Sequence, residues 1–526
     1  MWASPGVESR DRLLVDVDSG NVVAEVGETG GDGRADVAAA DDACVHEGVV
    51  EGEGFERSAS AGGTDTRVGS LSMSPTDSPR MTNIALVVLD TLRKDAFEEQ
   101  FGWLPGVRYE SAWSPSGWTV PVHGALFGGG YPREVGVYAK TQSLTCAEPV
   151  LAETLSDAGY TTRGFSANAN ISDAFEFTRG FDEFDHSWRG KRRDEDVVDW
   201  GAFISEMNDE GRSRFLRALY RTVVSDTDTL KSLRLGLKLK ARDLGIETIA
   251  GEDDGAKKAL RLVEQTDFGD DEFLFMNLME AHGPYKPPSD YDTTNLDYEL
   301  GLEETISDGP DVDAETVRSA YDDCVRYLSD VYAEIFAVLE ADFDYILTLS
   351  DHGEMFGTAG IWDHNHGIYP ELTHVPLCIS DGRESIDRRH ETVSLVDVHR
   401  TVLDLAGCEP GGTRGQNLYE DSTADDYLVE RHGLRAARVE PVKEMESDGE
   451  LFERYDQSLR GVVFEDGSYA WETPDGLETR SDVDLDGAER RLDGLVRELD
   501  TAEVRLDDSR DAPDDVEARL EDLGYM

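Results

Sequence analysis

Residues 81–90 read MTNIALVVLD, and this stretch decides the fold. Ile84, Leu86, Val87, Val88 and Leu89 make a nearly unbroken apolar run. A run without polar alternation predicts a strand buried on both faces, as in a parallel sheet covered by helices on each side. The run stops at Asp90. Open α/β sheets take their ligands at the carboxyl ends of strands, so Asp90 is the first candidate functional residue.

Working outward, strands and helical segments alternate. EPVLAETLSDAGY (148–160) predicts an amphipathic helix closed by Gly159, and TTRGFSAN (161–168) a strand after it. EFLFMNLMEAH (272–282) is an apolar strand with a polar tip. Residues 314–341 predict a long helix, FDYILTLSDHGE (343–354) a strand ending in acids and His, and VSLVDVHRTVLDLAG (393–407) a helix closed by Gly407. The fold class is therefore α/β, with a mostly parallel central sheet flanked by helices over 82–410. Past about 410 the pattern changes to short strands. SLRGVVFEDGSYAWETP (458–474) predicts a hairpin turning at Asp466-Gly467, followed by an acidic helix at 483–500 and a short terminal helix. A smaller α+β domain is expected over 411–526. Residues 1–81 differ from the rest: up to residue 80 they hold no Lys, and Trp2 and Phe55 are the only aromatics. Such a segment buries too little apolar surface to offset its ordering entropy, so disorder is expected, with Met73 and Met81 as alternative translation starts.

Composition narrows the function classes. The 526 residues carry 50 Lys and Arg against 111 Asp and Glu, a net charge of −61. Nothing broadly basic exists to displace counterions from nucleic-acid phosphate, which excludes that partner. Acid spread along the whole chain holds hydration water where salt screens the repulsion, so a halophilic cytoplasm is the expected setting. Five scattered cysteines without a CxxC pair indicate neither a disulfide framework nor a thiolate zinc site. No apolar run approaches the roughly 20 residues of a membrane span, and residues 1–30 show no secretory h-region. One island departs from the acidity. Arg212, Arg214, Arg217, Arg221, Lys231, Arg234, Lys238, Lys240 and Arg242 face only Asp226 and Asp228 over 212–242, inside a helical insertion at about 188–260. It reads either as a helix pairing with acidic neighbours or as a peripheral contact for a membrane or an anionic ligand.

Polar groups at strand ends form the candidate site. Asp90 follows the first strand, Asp351-His352 sit in LTLSDHGE, His282 in MEAHGPY, and His364 and His366 in WDHNHG. Carboxylate oxygens with imidazole nitrogens and no thiolate suit one divalent ion of the Ca, Mg, Mn or Zn type. Taken singly, a strand-end Asp also reads as a helix N-cap and a lone His as a structural residue. Three apolar strands ending alike point to a site.

Several motifs now stand in order: VVLDTLRKD, GWTVPVHGALFGGGYPREVGV (117–137), TRGFDEF (178–184), HGPYKPP (282–288), LSDHGEMFG (349–357), HNHGIYPELTHVPL (364–377) and the terminal LEDLGYM (520–526). Together they resemble the sulfatase family of the alkaline-phosphatase superfamily, in a haloarchaeal form. The resemblance covers about 82–410 and the C-terminus. It implies a nucleophile at a helix N-terminus, on a metal, attacking a sulfate or phosphate ester of a small molecule or glycan. Thr119 takes the nucleophile's position, and the helix and the ion would stabilise its alkoxide. Asp90, Asp351 and His352 would hold the ion. His282 and His366 would donate to the ester oxygens or protonate the leaving group, with His123, His364, Lys286 and Arg93 as substrate contacts and Glu354 behind them. The departures matter. Thr119 is neither the Cys nor the Ser from which formylglycine is made, Val122 and His123 replace the motif's Ser-Arg, and Thr91 replaces the second Asp of the usual pair. SANAN (166–170) stands where Gly-Lys-Trp-His is expected. The set Asp90, Thr119, Asp351 and His352 also resembles single-metal phosphoesterases and phosphoglycerol transferases. Three readings follow: an ester hydrolase, a phospho-group transferase of the same superfamily, or an inactive anion-binding homologue.

Overall fold

The computed structural model describes residues 82–187, 255–296, 305, 309–310, 312–420, 426–445, 449–499 and 501–502. All of them belong to one compact unit, Ser74–Met526. The expected disorder of 1–81, the basic island at 212–242 and the terminal helix with LEDLGYM lie outside the described residues.

Eight strands form the central sheet: β1 (Ile84–Leu89), β2 (Gly106–Trp113), β3 (Thr161–Ser166), β4 (Glu183–His186), β5 (Glu272–Leu278), β6 (Tyr345–Leu349), β7 (Leu377–Ser380) and β8 (Ile386–Ser394). Their order is β4-β3-β5-β1-β6-β7-β2-β8, and only β7 runs antiparallel, to both β6 and β2. β1 lies at the centre with all six residues buried, as its unbroken apolar run requires. Parallel neighbours β5 and β6 flank it, pairing Leu89 with Leu278 and Val88 with Leu349. The carboxyl ends of β3, β5, β1 and β6 thus share one sheet edge. The long helix Ala314–Asp342 begins at Asp313, whose side chain accepts from Thr316 N.

Sequence and structure differ at the element ends. The strand expected over 272–282 stops at Leu278, where His282 N turns back to Met279 O. The strand expected over 343–354 covers only Tyr345–Leu349. Residues 393–394, expected to be helical, close β8; Asp397 Oδ2 accepts from Ser394 N and makes the strand-to-helix turn before Val396–Leu405. Polar strand tips prolong a periodic pattern in sequence but leave the hydrogen-bond ladder in space.

A second, antiparallel sheet has the order β12-β11-β10-β9, built from β9 (Tyr427–His432), β10 (Ser458–Val463), β11 (Tyr469–Thr473) and β12 (Gly476–Thr479). The hairpin turns at Asp466-Gly467, where Gly467 has φ 80° and Asp466 Oδ1 accepts from Ser468 N. One face of this sheet packs with the helix Leu485–Glu498 in a cluster that includes Leu428, Val462, Ala470, Ala488 and Leu492, and the other is buried against the first region. Tyr427, Val429, Leu459, Val463, Tyr469 and Trp471 bury themselves against Trp113, Met355, Ile368, Tyr369 and Leu372 of the first region. Among the described residues no helix is long and apolar enough to cross a membrane.

Candidate active site

Continuing the β1–β6 register by two residues sets Asp90 beside Asp351, both fully buried. Two carboxylates side by side without water repel strongly. Asp90 Oδ1 accepts from Thr91 Oγ1 (2.8 Å), and Oδ2 from Asn168 Nδ2 (2.9 Å) and Asn277 Nδ2 (3.3 Å). Burial opposes its charge, but His282, His352 and Asn168 outweigh it and hold the carboxyl below its usual range. Asp351 Oδ1 accepts from Thr91 N (3.1 Å) and His352 N (2.9 Å). Burial and the Asp90 charge push its carboxyl well above normal. Its buried Oδ2 has no hydrogen-bond partner.

The main chain sets the tautomer of His352. Its Nδ1–H donates to Gly353 O (2.9 Å), leaving Nε2 as the acceptor, 3.4 Å from Asp351 Oδ2 and 3.9 Å from Asp90 Oδ1. Only glycine fits at 353, because a Cβ would stand 2.0 Å from Glu371 O. Burial drives the His352 ring well below its usual pKa, so it is neutral, as a metal ligand must be. Ligand atoms of Asp90, Asp351 and His352 lie within 4.8 Å of one another. An orphaned carboxylate oxygen, a second buried carboxylate and a neutral imidazole are the donor set of a divalent cation.

Thr119 is the first residue of the helix Thr119–Gly128, and Trp118 before it is fully extended (φ −161°). Its hydroxyl therefore sits at the helix N-terminus, where it donates to His352 Nε2 at 3.1 Å. His123, one turn on, has both ring nitrogens engaged: Nδ1 donates to Thr119 O (2.9 Å) and Nε2 accepts from Asn277 Nδ2 (3.0 Å). Burial lowers its pKa to about 4. His123 is thus a neutral ring that braces the first turn behind Thr119. Arg93 is likewise committed elsewhere, pairing in two bonds with Asp95 and donating to Glu354 O (2.6 Å). Lys286 is half-buried in the loop after His282, its N donating to Pro284 O.

The histidines take separate stations. His282 Nδ1 donates to Gly283 O (2.6 Å), and burial with the nearby His364 lowers its pKa. The His364 ring lies 4.9 Å from that of His282 and 4.6 Å from that of His352. Burial opposes its charge, but Glu354 and Asp363 prevail and raise its pKa; Nδ1 is 3.3 Å from both Glu354 oxygens. Tyr285 Oη also donates to Glu354 (2.7 Å). His366 is buried against Tyr455, with Arg431, Arg435 and Arg438 around it; burial and those charges drive it well below its usual pKa.

Asn168 and Asn277, which donate to Asp90, were not among the sequence candidates. Asn168 was legible as a polar residue two places beyond β3, within SANAN; Asn277 lies inside an apolar strand and carries no such signal.

A family model described as Sulfatase matches residues 100–408. An uncharacterised sulfatase, YidJ, of Escherichia coli K12 is 22% identical over 349 residues, 62% of this chain and just under two thirds, 66%, of its own length. Among solved structures, a phosphonate monoester hydrolase of Silicibacter pomeroyi superposes with TM-score 0.51 at 16% identity, covering 79% of this chain and 94% of its own. That of Agrobacterium radiobacter superposes with TM-score 0.52 at 17% identity, covering 84% and 95%. With the family model spanning more than half of its length, this chain belongs to the sulfatase family.

Proposed function

We propose that the chain is a metal-dependent hydrolase of sulfate or phosphate esters with Thr119 as nucleophile. One observation carries this reading: Thr119 Oγ1 stands at a helix N-terminus 3.1 Å from His352 Nε2, inside the Asp90–Asp351–His352 cluster. When bound by these residues, a divalent cation would lower the pKa of a coordinated hydroxyl and offset negative charge on the ester. The helix N-terminus adds partial positive charge at the same oxygen, and His123 anchors the Thr119 carbonyl. Thr119 Oγ1 gives up its proton to water and forms the new bond to phosphorus or sulfur as the ester oxygen departs. His364, kept basic by Glu354 and Asp363, is the ring that holds a proton for that leaving oxygen. His282, tautomer fixed by Gly283 O, presents Nε2 as an acceptor beside it. Water then releases the group from Thr119. Formylglycine chemistry is not available to a threonine.

The test is a screen of matched 4-nitrophenyl sulfate and phosphate at high KCl, after chelation and with Mg, Mn, Ca and Zn added in turn. Turnover of one ester, lost on chelation and restored by one metal, is the expected result. A folded protein that turns over neither ester with any metal would overturn the reading and leave an anion-binding homologue.

A further inference from the structure

The loop after β1 holds a backbone conformation that its sequence does not favour. Leu92 N folds back on Leu89 O (3.3 Å), closing a tight turn over residues 89–92, and the third residue of that turn, Thr91, has φ 63°. A turn with positive φ at its third residue ordinarily takes Gly or Asn there, and a β-branched side chain in the left-handed region is strained. Thr91 is fully buried, and its surroundings hold the strain in place. Tyr321 Oη, from the long helix, donates to Thr91 O (3.0 Å) and accepts from Arg93 N (2.8 Å). Leu92 N also donates to Ser350 Oγ (2.9 Å), which in turn donates to His352 O (2.7 Å). Strain that is fixed from several sides points to a use at that residue.

The use lies in what Thr91 reaches. Its hydroxyl donates to Asp90 Oδ1 (2.8 Å) and its amide to Asp351 Oδ1 (3.1 Å). One residue thus donates to both of two buried carboxylates that repel each other. The bond to Asp351 engages Oδ1 and leaves Oδ2 as the oxygen 3.4 Å from His352 Nε2. The bond to Asp90 steadies Oδ1, which lies 3.9 Å from the same nitrogen. Glycine would make this turn without strain and keep the amide bond, but it would lose the bond to Asp90.

We propose that Thr91 is the positioning residue of the cation site: it keeps one oxygen of Asp90 and one of Asp351 beside His352 Nε2 as a ready ligand set, and its hydroxyl raises the affinity of that set for the ion. The inference rests on the reading of Asp90, Asp351 and His352 as ligands of a divalent cation, and it gives Thr91 no part in the ester chemistry. A donor behind a ligating carboxylate fixes its orientation, and removing one weakens metal binding by roughly 10- to 100-fold.

The experiment titrates Mg²⁺, Mn²⁺, Ca²⁺ and Zn²⁺ in turn into the chelated full chain, at high KCl to screen the surface acids, and reads affinity by competition with a chromophoric chelator. The ion that the unaltered chain binds tightest is then given to three variants. Thr91→Val keeps the shape, the amide and the strain and removes the hydroxyl. Thr91→Gly removes hydroxyl and strain together, and Thr91→Ser keeps the hydroxyl. Thr91→Val and Thr91→Gly should each bind at least about tenfold more weakly, and Thr91→Ser within about threefold of the unaltered chain. Affinity within that threefold in either Thr91→Val or Thr91→Gly, or an equal loss in Thr91→Ser, overturns the proposal. Should Thr91→Val not fold, Thr91→Gly, which fits the turn, decides. At saturating metal Thr91→Val should recover most of its turnover, because Thr91 touches the ligands and not the ester. A loaded Thr91→Val protein that stays inactive would place Thr91 in the chemistry and overturn the positioning role. An unaltered chain that binds none of the four ions would fault the cation site itself and this proposal with it, a result distinct from unchanged binding in the variants.

Discussion

Two buried regions meet at the helix that begins with Thr119, and they are built as opposites. One sets Asp90 and Asp351 together on adjacent parallel strands with a neutral His352. The other gathers Arg431 on β9, and Arg435 and Arg438 at the helix that follows it, around a neutral His366. The first concentrates negative charge where water is excluded, an arrangement that costs several kcal/mol unless a cation completes it. The difference between them is the lesson. Only the first has a hydroxyl at a helix N-terminus, the arrangement that the proposed chemistry needs.

The largest effect expected from breaking this contrast is at Thr119. Thr119→Ala should lower kcat by roughly 10⁴-fold with metal content nearly unchanged, since Asp90, Asp351 and His352 remain. Thr119→Ser should keep measurable turnover because the hydroxyl survives. Single-turnover rates and metal analysis on the same preparations check this; an active, metal-loaded Ala variant would make a coordinated water the attacking group.

A smaller effect with a change of sign is expected at Asp351. Asp351→Asn should destabilise the metal-loaded protein. In the chelated protein at neutral pH it should instead stabilise by about 1–3 kcal/mol, because one of two repelling buried acids is gone. Melting curves with and without chelator read both arms. The same direction in both would mean that the carboxylates are not a cation site.

The smallest effect calibrates the scaffold between the regions. His399 is buried beneath the helix Thr119–Gly128, its Nδ1 donating to Leu126 O, and burial lowers its pKa to about 4. Above pH 6.5 neither state protonates it. Between 6.5 and about 4 the unfolded chain binds a proton that the folded one refuses, so stability falls with pH by up to about 1.4 kcal/mol per unit. His399→Gln should flatten the pH dependence of the melting temperature in that window. An unaltered slope would show that His399 takes up its proton without unfolding.

Much of the first region was legible in the chain, and little of the second. Apolar runs ending at Asp90 and at Asp351-His352 are local signals, because a buried parallel strand needs no partner to be recognised. The Asp466-Gly467 hairpin is equally local. The engagement of both His123 nitrogens, by Thr119 O and Asn277, was not legible, since it depends on contacts that sequence spacing does not reveal. Arg431, Arg435 and Arg438 fall in RHGLRAAR, which reads as an ordinary basic surface helix. Their burial depends on β9 pairing with β10 and packing on Trp113 and Tyr369, contacts distant in the chain. The spacing did carry one hint: three arginines without an acid among them are out of place at this net charge.

The shared core of the two sheets has a mechanical consequence. Trp471, Tyr469 and Val429 share one buried cluster with Trp113 and Leu372, which ties the antiparallel sheet to the central one. Backbone amides of β9 and β10 should therefore exchange with deuterium only when the entire structure opens, on the same slow clock as those of β1.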